Sequence, residues 1–376
     1  MMDDSIRYDE TVGLLVTYRC NLQCRYCYIT RKRPQDMSLE RAKNVLRPYL
    51  EKEKGRLEIV FMGAEILMAE NTIRALVEWV QAGNWKRDFH FFGCTNGTLL
   101  TEDFKRWLTT HRDAVCLGLS YDGLPAVQNQ NRGGADSIDL DFFRRTWPQQ
   151  QIQMTIDEHS VSSMAEGVIF LLEKGFRVNP NVAYEKKQWS PSALREYGLQ
   201  IRQLLRYYLL HPDTPLIPQL SHPLCEYARY LTKPARPMRP CGAGDGFRVY
   251  DVDGKAYPCH MLSPLVLSRS QIEAMEAVPF HAIDDFADAR CAECPYVSAC
   301  PTCMGCNFIY RYSFQKRDAT HCAITQLEVQ ATLKYELSRL MGKETLSPAD
   351  ALSADAILDL YQAQTSGKLR KKYPHL

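Results

Sequence analysis

From residue 12 to about 185, short apolar runs alternate with amphipathic stretches. The runs "VGLLVT" (12–17), "RLEIVFMG" (56–63), "FHFFGCTNG" (89–97), "AVCLGLSYDG" (114–123), "QIQMTI" (151–156) and "FRVNPNVAYE" (176–185) read as strands. Between them lie helical patterns: one capped by Ser38 and running toward Gly55, then "ENTIRALVEWVQ", "TEDFKRWLTTH" with Thr101 as cap, "LDFFRRTW" and "SSMAEGVIFLLEKG". Pro48 is expected to kink or interrupt the first of these. Six β/α units imply parallel strands with right-handed crossovers. The fold expected is α/β, a partial (β/α)6 TIM-like barrel, with an open doubly wound sheet as the alternative. In either, reactive groups gather at the C-terminal ends of the strands.

The pattern changes after residue 210. "HPDTPLIPQLSHPL" (211–224) and "TKPARPMRP" (232–240) are Pro-rich boundary or loop segments. Residues 241–322 show little periodicity, and metal rather than apolar core is expected to organise them. "AITQLEVQATLKYELSRLMG" (323–342) reads as a helix. The division expected is a barrel over 1–215, a Cys-rich domain over 216–340 and a C-terminal helical tail over 341–376.

Composition narrows the function. Lys plus Arg number 46 and Asp plus Glu 44 in 376 residues, a balance that argues against a nucleic-acid or membrane-surface protein. The one basic run, "GKLRKKYPHL" at 367–376, reads as a solvated tail. The N-terminus is polar and no run is apolar enough to span a bilayer, so a cytoplasmic location is expected. There are 14 cysteines. In a reducing compartment they point to metal or redox chemistry rather than disulfides.

Three of them crowd one loop, "VTYRCNLQCRYCYITRK", as Cys20-x3-Cys24-x2-Cys27 directly after the first strand. A structural zinc site wants four ligands, and no His or fourth Cys stands beside these. Three thiolates on a four-iron cluster leave one iron open to a substrate or cofactor. The spacing and its place after the first strand resemble the signature of the radical S-adenosylmethionine (SAM) enzymes. That resemblance implies a [4Fe–4S] cluster on Cys20, Cys24 and Cys27. SAM would bind its open iron and be cleaved reductively to a 5′-deoxyadenosyl radical, with Tyr26 near the adenine.

Other segments agree with the resemblance. Gly63-Ala64-Glu65 after the second strand is similar to the family's Gly-Gly-Glu, with Ala at the middle position. "CTNGTLL", with Asn96, resembles the third-strand segment of members that carry a Cys-rich extension. "GLSYDG" and "NQNRGG" offer Ser120 and Arg132 as candidates to hold the ribose or carboxylate of SAM. Cys94, Cys116 and their strands read more simply, as small buried side chains.

"CGAGDGFRVYDVDGKAYPC" joins Cys241 to Cys259 through a hairpin at Asp253-Gly254, and Cys291, Cys294, Cys300, Cys303, Cys306 and Cys322 follow. This array resembles the SPASM extension, which carries two auxiliary [4Fe–4S] clusters. The family's interleaving would give one cluster Cys291, Cys294, Cys300 and Cys322, and the other Cys241, Cys259 and Cys303 or Cys306, with Cys225 a further candidate. A pair of zinc knuckles shares the Cys-x2-Cys spacing and is the alternative.

The resemblance implies an oxidoreductase that modifies a ribosomal precursor peptide by abstracting hydrogen and forming a C–C, C–S or C–O crosslink. Flavodoxin or ferredoxin would supply low-potential electrons, and a separate leader-binding protein is one route to peptide recognition. His260, where related sulfatase-maturing enzymes carry an Asp, and Asp122 are candidates for proton transfer. The alternatives are an anaerobic sulfatase-maturing enzyme, a peptide epimerase, and a non-catalytic Fe–S or zinc scaffold that binds a partner.

Overall fold

The structure is a computed structural model that describes residues 8–231, 241–244, 246–279, 302–365 and, between 280 and 301, Asp288, Cys291, Cys294, Tyr296 and Cys300. The Pro-rich stretch 232–240 and the basic run 367–376 lie outside the described residues. In chain order the elements are β1 (Glu10–Thr17), α1 (Leu39–Leu50), β2 (Arg56–Gly63), α2 (Glu70–Ala82), β3 (Asp88–Thr95), α3 (Glu102–His111) and β4 (Val115–Leu119). Then come α4 (Pro125–Asn131), α5 (Leu140–Thr146), β5 (Gln151–Ile156), α6 (Met164–Glu173), β6 (Arg177–Val182), α7 (Pro191–Leu210) and α8 (Leu224–Tyr230). The chain closes with β7 (Phe247–Tyr250), β8 (Ala256–Tyr257), α9 (Arg269–Glu276), α10 (Met304–Arg311), α11 (Ala319–Met341) and α12 (Pro348–Thr365).

The chain divides into two compact units. The first comprises 1–155, 170–184 and 241–281, and the second comprises 156–169, 185–240 and 282–376.

In the first unit one sheet has the order β4-β3-β2-β1-β7-β8, and β5 and β6 form a second pair. A parallel bridge from Ser120 to Gln153 joins β4 to β5. Strands β1 to β4 are parallel and spatially sequential. Every crossover therefore turns the same way, which is the winding of a barrel and not of a doubly wound sheet. On one face Val12, Leu14, Val16, Leu57, Ile59, Phe61 and Phe91 are almost wholly buried, and Phe61 stacks on Phe91 at 5.4 Å. The other face is half-polar. Glu58, His90, Cys94, Cys116 and Ser120 point there by strict alternation.

Capping follows the sequence: Ser38 accepts from the Arg41 N–H and Thr101 from the Phe104 N–H. Pro48 does not end α1, which runs on to Leu50. It stands in the last turn, where the lost bond to the Asn44 carbonyl leaves only two residues beyond it to disturb. Pro180 sits inside β6, a strand with one partner in its two-stranded sheet, where the missing donor is tolerated.

The hairpin at Asp253-Gly254 is present, with Gly254 at φ +83°. Its first strand, β7, lies parallel to β1 and extends the barrel sheet. Tyr18 at the end of β1 donates its hydroxyl to the buried Asp251 of that hairpin. The region 241–322 is thus less irregular than its composition suggests: β7 and β8 pair in it, and α9 carries a full capping box at Ser268 and Gln271.

In the second unit α7 and α11 pack along each other, as do α8 and α12. Leu224, Tyr227, Val329, Leu333, Ile357 and Leu360 form one apolar cluster there.

Candidate active site

The loop 20–27 leaves the C-terminal end of β1. Its backbone is tied down by Arg25 N–H to the Asn131 carbonyl (2.9 Å) and Cys27 N–H to the Cys24 carbonyl (3.1 Å). Lys32 Nζ donates to the Leu22 carbonyl at 2.6 Å. Burial pushes the Cys20 and Cys24 thiols up, Cys27 raises both further, and Cys20 adds to the rise at Cys24. Lys32 acts in the opposite sense on both, and Arg132 on Cys24. Three thiols crowded into one loop, two of them pushed up by burial, need a strongly cationic centre to become thiolates together, so these residues fit an iron–sulfur cluster.

Gly63 ends β2 at φ +148°, where a Cβ would lie 2.4 Å from the Thr17 carbonyl oxygen. Only glycine lets the ends of β1 and β2 close this tightly. The turn brings Ala64 N–H to the Thr17 carbonyl (3.2 Å) and Glu65 N–H to the Arg19 carbonyl (2.9 Å). The Glu65 carboxyl is buried. It accepts from Thr95 Oγ1 (2.6 Å), Asn96 N–H (2.8 Å) and Leu67 N–H (3.1 Å). Burial pushes its pKa up while these donors pull it down, and the upward effect wins. Glu65 thus ties the end of β2 to the end of β3. Asn96 Nδ2 reaches Asn21 Oδ1 at 3.0 Å, and Asn21 Nδ2 reaches Thr98 Oγ1 at 2.8 Å, so the β3 segment grips the cysteine loop.

Asp122, fully buried after β4, accepts from four donors. These are the Tyr26 hydroxyl, Asn131 Nδ2 (3.2 Å), Arg132 Nε (3.0 Å) and the Thr155 N–H (3.0 Å). Arg132 also donates to Thr155 Oγ1 at 3.0 Å and lies 5.2 Å above the Tyr26 ring. Ser120 N–H bonds the Thr95 carbonyl at 2.9 Å. Gly63, Ala64, Glu65, Asn96 and Ser120 therefore lie at or just beyond the strand ends, Tyr26 in the loop itself and Arg132 at the end of α4. The Arg132 guanidinium faces Asp122 and Thr155, an ion pair that sequence reasoning did not foresee.

His260 lies in the first unit with its ring 5.8 Å from Tyr28, immediately after the cysteine loop. Its Nδ1 is buried without a hydrogen bond among the described residues, and burial lowers its pKa to about 4. It is a neutral imidazole at pH 7. Cys259 is buried and Cys241 exposed, both in this unit.

Cys94, expected to be packed away, is instead exposed on the half-polar face of β3. Solvent reaches the thiol although protein surrounds it closely, and that enclosure pushes its pKa up to about 12.

In the second unit burial pushes the Cys291 and Cys294 thiols up, Cys300 adds to both rises, and Arg317 opposes them. Cys322 stands in the first turn of α11. Cys303 caps α10, and its sulfur accepts from the Cys306 N–H at 3.4 Å. Hydrogen bonds from the Cys306 thiol and nearby N–H groups hold the Cys303 thiol down at about 7. Cys225 is exposed on α8, its sulfur 3.7 Å from the Leu352 carbonyl oxygen.

The profile of the Radical SAM superfamily matches residues 14–122, from β1 through Asp122. Residues 14–122 are a radical SAM domain. The uncharacterized protein MJ0907 of Methanocaldococcus jannaschii is 33% identical over 111 residues, 30% of this chain and 38% of that protein. The radical SAM cyclopropyl synthase TigE of Paramaledivibacter caminithermalis is 29% identical over 147 residues, 34% of this chain and 30% of that protein. The chain thus spans about a third of the length of these curated relatives. Among solved structures, anSMEcpe with bound AdoMet superposes with a TM-score of 0.65 over 93% of this chain and 98% of that one, at 17% identity. SuiB of Streptococcus suis, bound to the precursor peptide SuiA, gives 0.55 over 84% and 76%, at 15% identity. The fold of the radical SAM domain, and of the chain around it, is the fold of those proteins.

Proposed function

We propose that this chain is a radical SAM peptide maturase that removes hydrogen from a residue of a ribosomal precursor peptide and forms an intramolecular crosslink. The observation that carries the reading is the three-thiol loop held at the C-terminal strand ends by the Glu65–Asn96–Asn21 and Asp122–Arg132–Tyr26 bonds. Cys20, Cys24 and Cys27 would hold a [4Fe–4S] cluster, which with SAM supplies a 5′-deoxyadenosyl radical. The protein's part is positioning and exclusion of water. Asp122 and Arg132 fix Tyr26 against the loop, and Asn96 orients Asn21. His260 would be the proton acceptor, a weak one, since burial disfavours its cation. In the second unit Cys291, Cys294, Cys300 and Cys322 would hold an auxiliary cluster, and a flavodoxin or ferredoxin would donate electrons. The relatedness to TigE and the likeness to SuiB, solved with a precursor peptide, support a peptide substrate.

The test is anaerobic co-expression with a short open reading frame found beside the gene, read by intact and fragment mass spectra. The reading expects loss of two hydrogens, with fragmentation blocked across the ring, and no such product from Cys24→Ala. An unmodified peptide in the presence of reductive SAM cleavage would overturn the crosslink. The second reading, oxidation of a sulfatase Cys or Ser, is favoured by the coverage of 98% of anSMEcpe. Conversion of a Cys-containing sulfatase peptide to its aldehyde would establish it.

A further inference from the structure

The second unit contains a groove of about 730 Å³ between α7 and α11 that the radical chemistry does not use. Its floor is small and apolar. Leu194, Gly198 and Leu205 come from α7, and Ala323, Leu327 and Ala331 from α11. A Cβ on Gly198 would already touch Leu327 at 3.6 Å, so the absent side chain leaves the floor low. The α11 positions 323, 327, 331 and 334 recur at helical spacing, which makes a straight trough for a third helix. At its rim Leu199 is 51% exposed.

The rim is also basic. Arg195, Arg202 and Lys334 line the groove, and none makes an ion pair or hydrogen bond among the described residues. The acid beside them, Glu196, accepts from Gln200. The floor asks for an apolar ridge and the rim for carboxylates on either side of it. The chain's own run 367–376, with Lys368, Arg370, Lys371 and Lys372, has the wrong sign to fill it. We infer that this groove docks an amphipathic helix with acidic flanks, presented by the peptide substrate outside the segment that is modified. Only the source of that helix rests on the peptide-maturase reading.

The experiment measures fluorescence anisotropy of the full chain with two labelled peptides of about 18 residues, long enough to span the trough. One has a Leu ridge flanked by Glu, and the other has the same ridge flanked by Lys. The Glu peptide should saturate, and the Lys peptide should not. The triple variant Arg195→Glu, Arg202→Glu, Lys334→Glu changes exposed side chains only. It should weaken the Glu peptide about tenfold and reverse the preference. Reductive SAM cleavage by the same variant should be unchanged, which separates failure of the dock from failure of the enzyme. Equal binding of both peptides, no saturable binding of either, or no effect of the triple variant would overturn the inference. So would a dimer that Leu199→Glu dissolves, since a second copy would then own the groove. Slower SAM cleavage with flavodoxin but not with dithionite, at unchanged peptide affinity, would reassign the groove to a redox protein and overturn it too.

Discussion

Each unit contains a buried carboxylate that faces a basic side chain and a tyrosine, and the two are solved differently. In the first unit Asp122 faces Arg132, and in the second Glu328 faces His222 at 3.1 Å. Both accept from a buried or half-buried tyrosine, Tyr26 and Tyr197 respectively. A guanidinium is charged at every working pH and presents a planar fork. Asp122 therefore has a permanent counter-charge, and its other donors draw in α4, β5 and the cysteine loop. His222 is charged only when protonated, and its Nδ1 meets the Tyr227 hydroxyl at 2.8 Å. Glu328 thus has no permanent counter-charge. A fixed pair suits a place where thiolates and a radical cofactor must be held in one geometry. An adjustable one suffices inside a helical core.

Removal of the carboxylates measures the difference. Asp122→Ala leaves Arg132 buried with no ion partner, and loss of one member of a buried pair costs about 3–5 kcal/mol. Urea unfolding should show that loss, and the purified variant should also retain less iron, since Tyr26 and the loop lose their anchor. Glu328→Gln keeps an acceptor for Tyr197 and allows neutral His222, so its cost should be about 1–2 kcal/mol, with iron content unchanged. Equal losses for the two variants would mean that the fixed cation confers nothing, and the comparison would fail.

How much of this could be read from the sequence follows from what periodicity encodes. The strands of the barrel, the Ser38 and Thr101 caps and the Cys20–Cys27 loop were legible because each is a local signal of spacing or residue type. β7 was legible as half of a hairpin but not as the neighbour of β1, because parallel pairing across more than 230 residues leaves no local trace. The helix α7 lay in a stretch given no element, although Ser190-Pro191 is an N-cap followed by Pro at the first turn. Among the site residues, type and motif pointed to Glu65, Asp122 and Arg132 singly. That Glu65 is spent on Thr95 and Asn96, and Arg132 on Asp122, depends on which strand ends meet. Alternation says which face a side chain takes, and not which partner waits there.

The tyrosines give the finest test. Burial pushes the Tyr26 and Tyr197 hydroxyls well above the ordinary tyrosine range, and the adjacent carboxylate adds to each rise, while Arg132 partly offsets it at Tyr26. The folded protein therefore keeps both protons where the unfolded chain releases them. For a raised pKa, the stabilisation is complete below about pH 10, the unfolded tyrosine value, and declines as pH rises beyond it. Tyr26→Phe and Tyr197→Phe should each cost about 1 kcal/mol at pH 8 through one lost hydrogen bond. Each should also make unfolding less sensitive to a step from pH 9 to pH 11 than in the parent. Both hydroxyls stay protonated across this step in the folded protein, even with Arg132 offsetting part of the rise at Tyr26, so the two variants should lose the same alkaline sensitivity. A smaller effect for Tyr26→Phe, measured by urea midpoints at the two pH values, would show that Arg132 draws the Tyr26 hydroxyl down into that range, and that the fixed cation loosens the proton the network is built to hold.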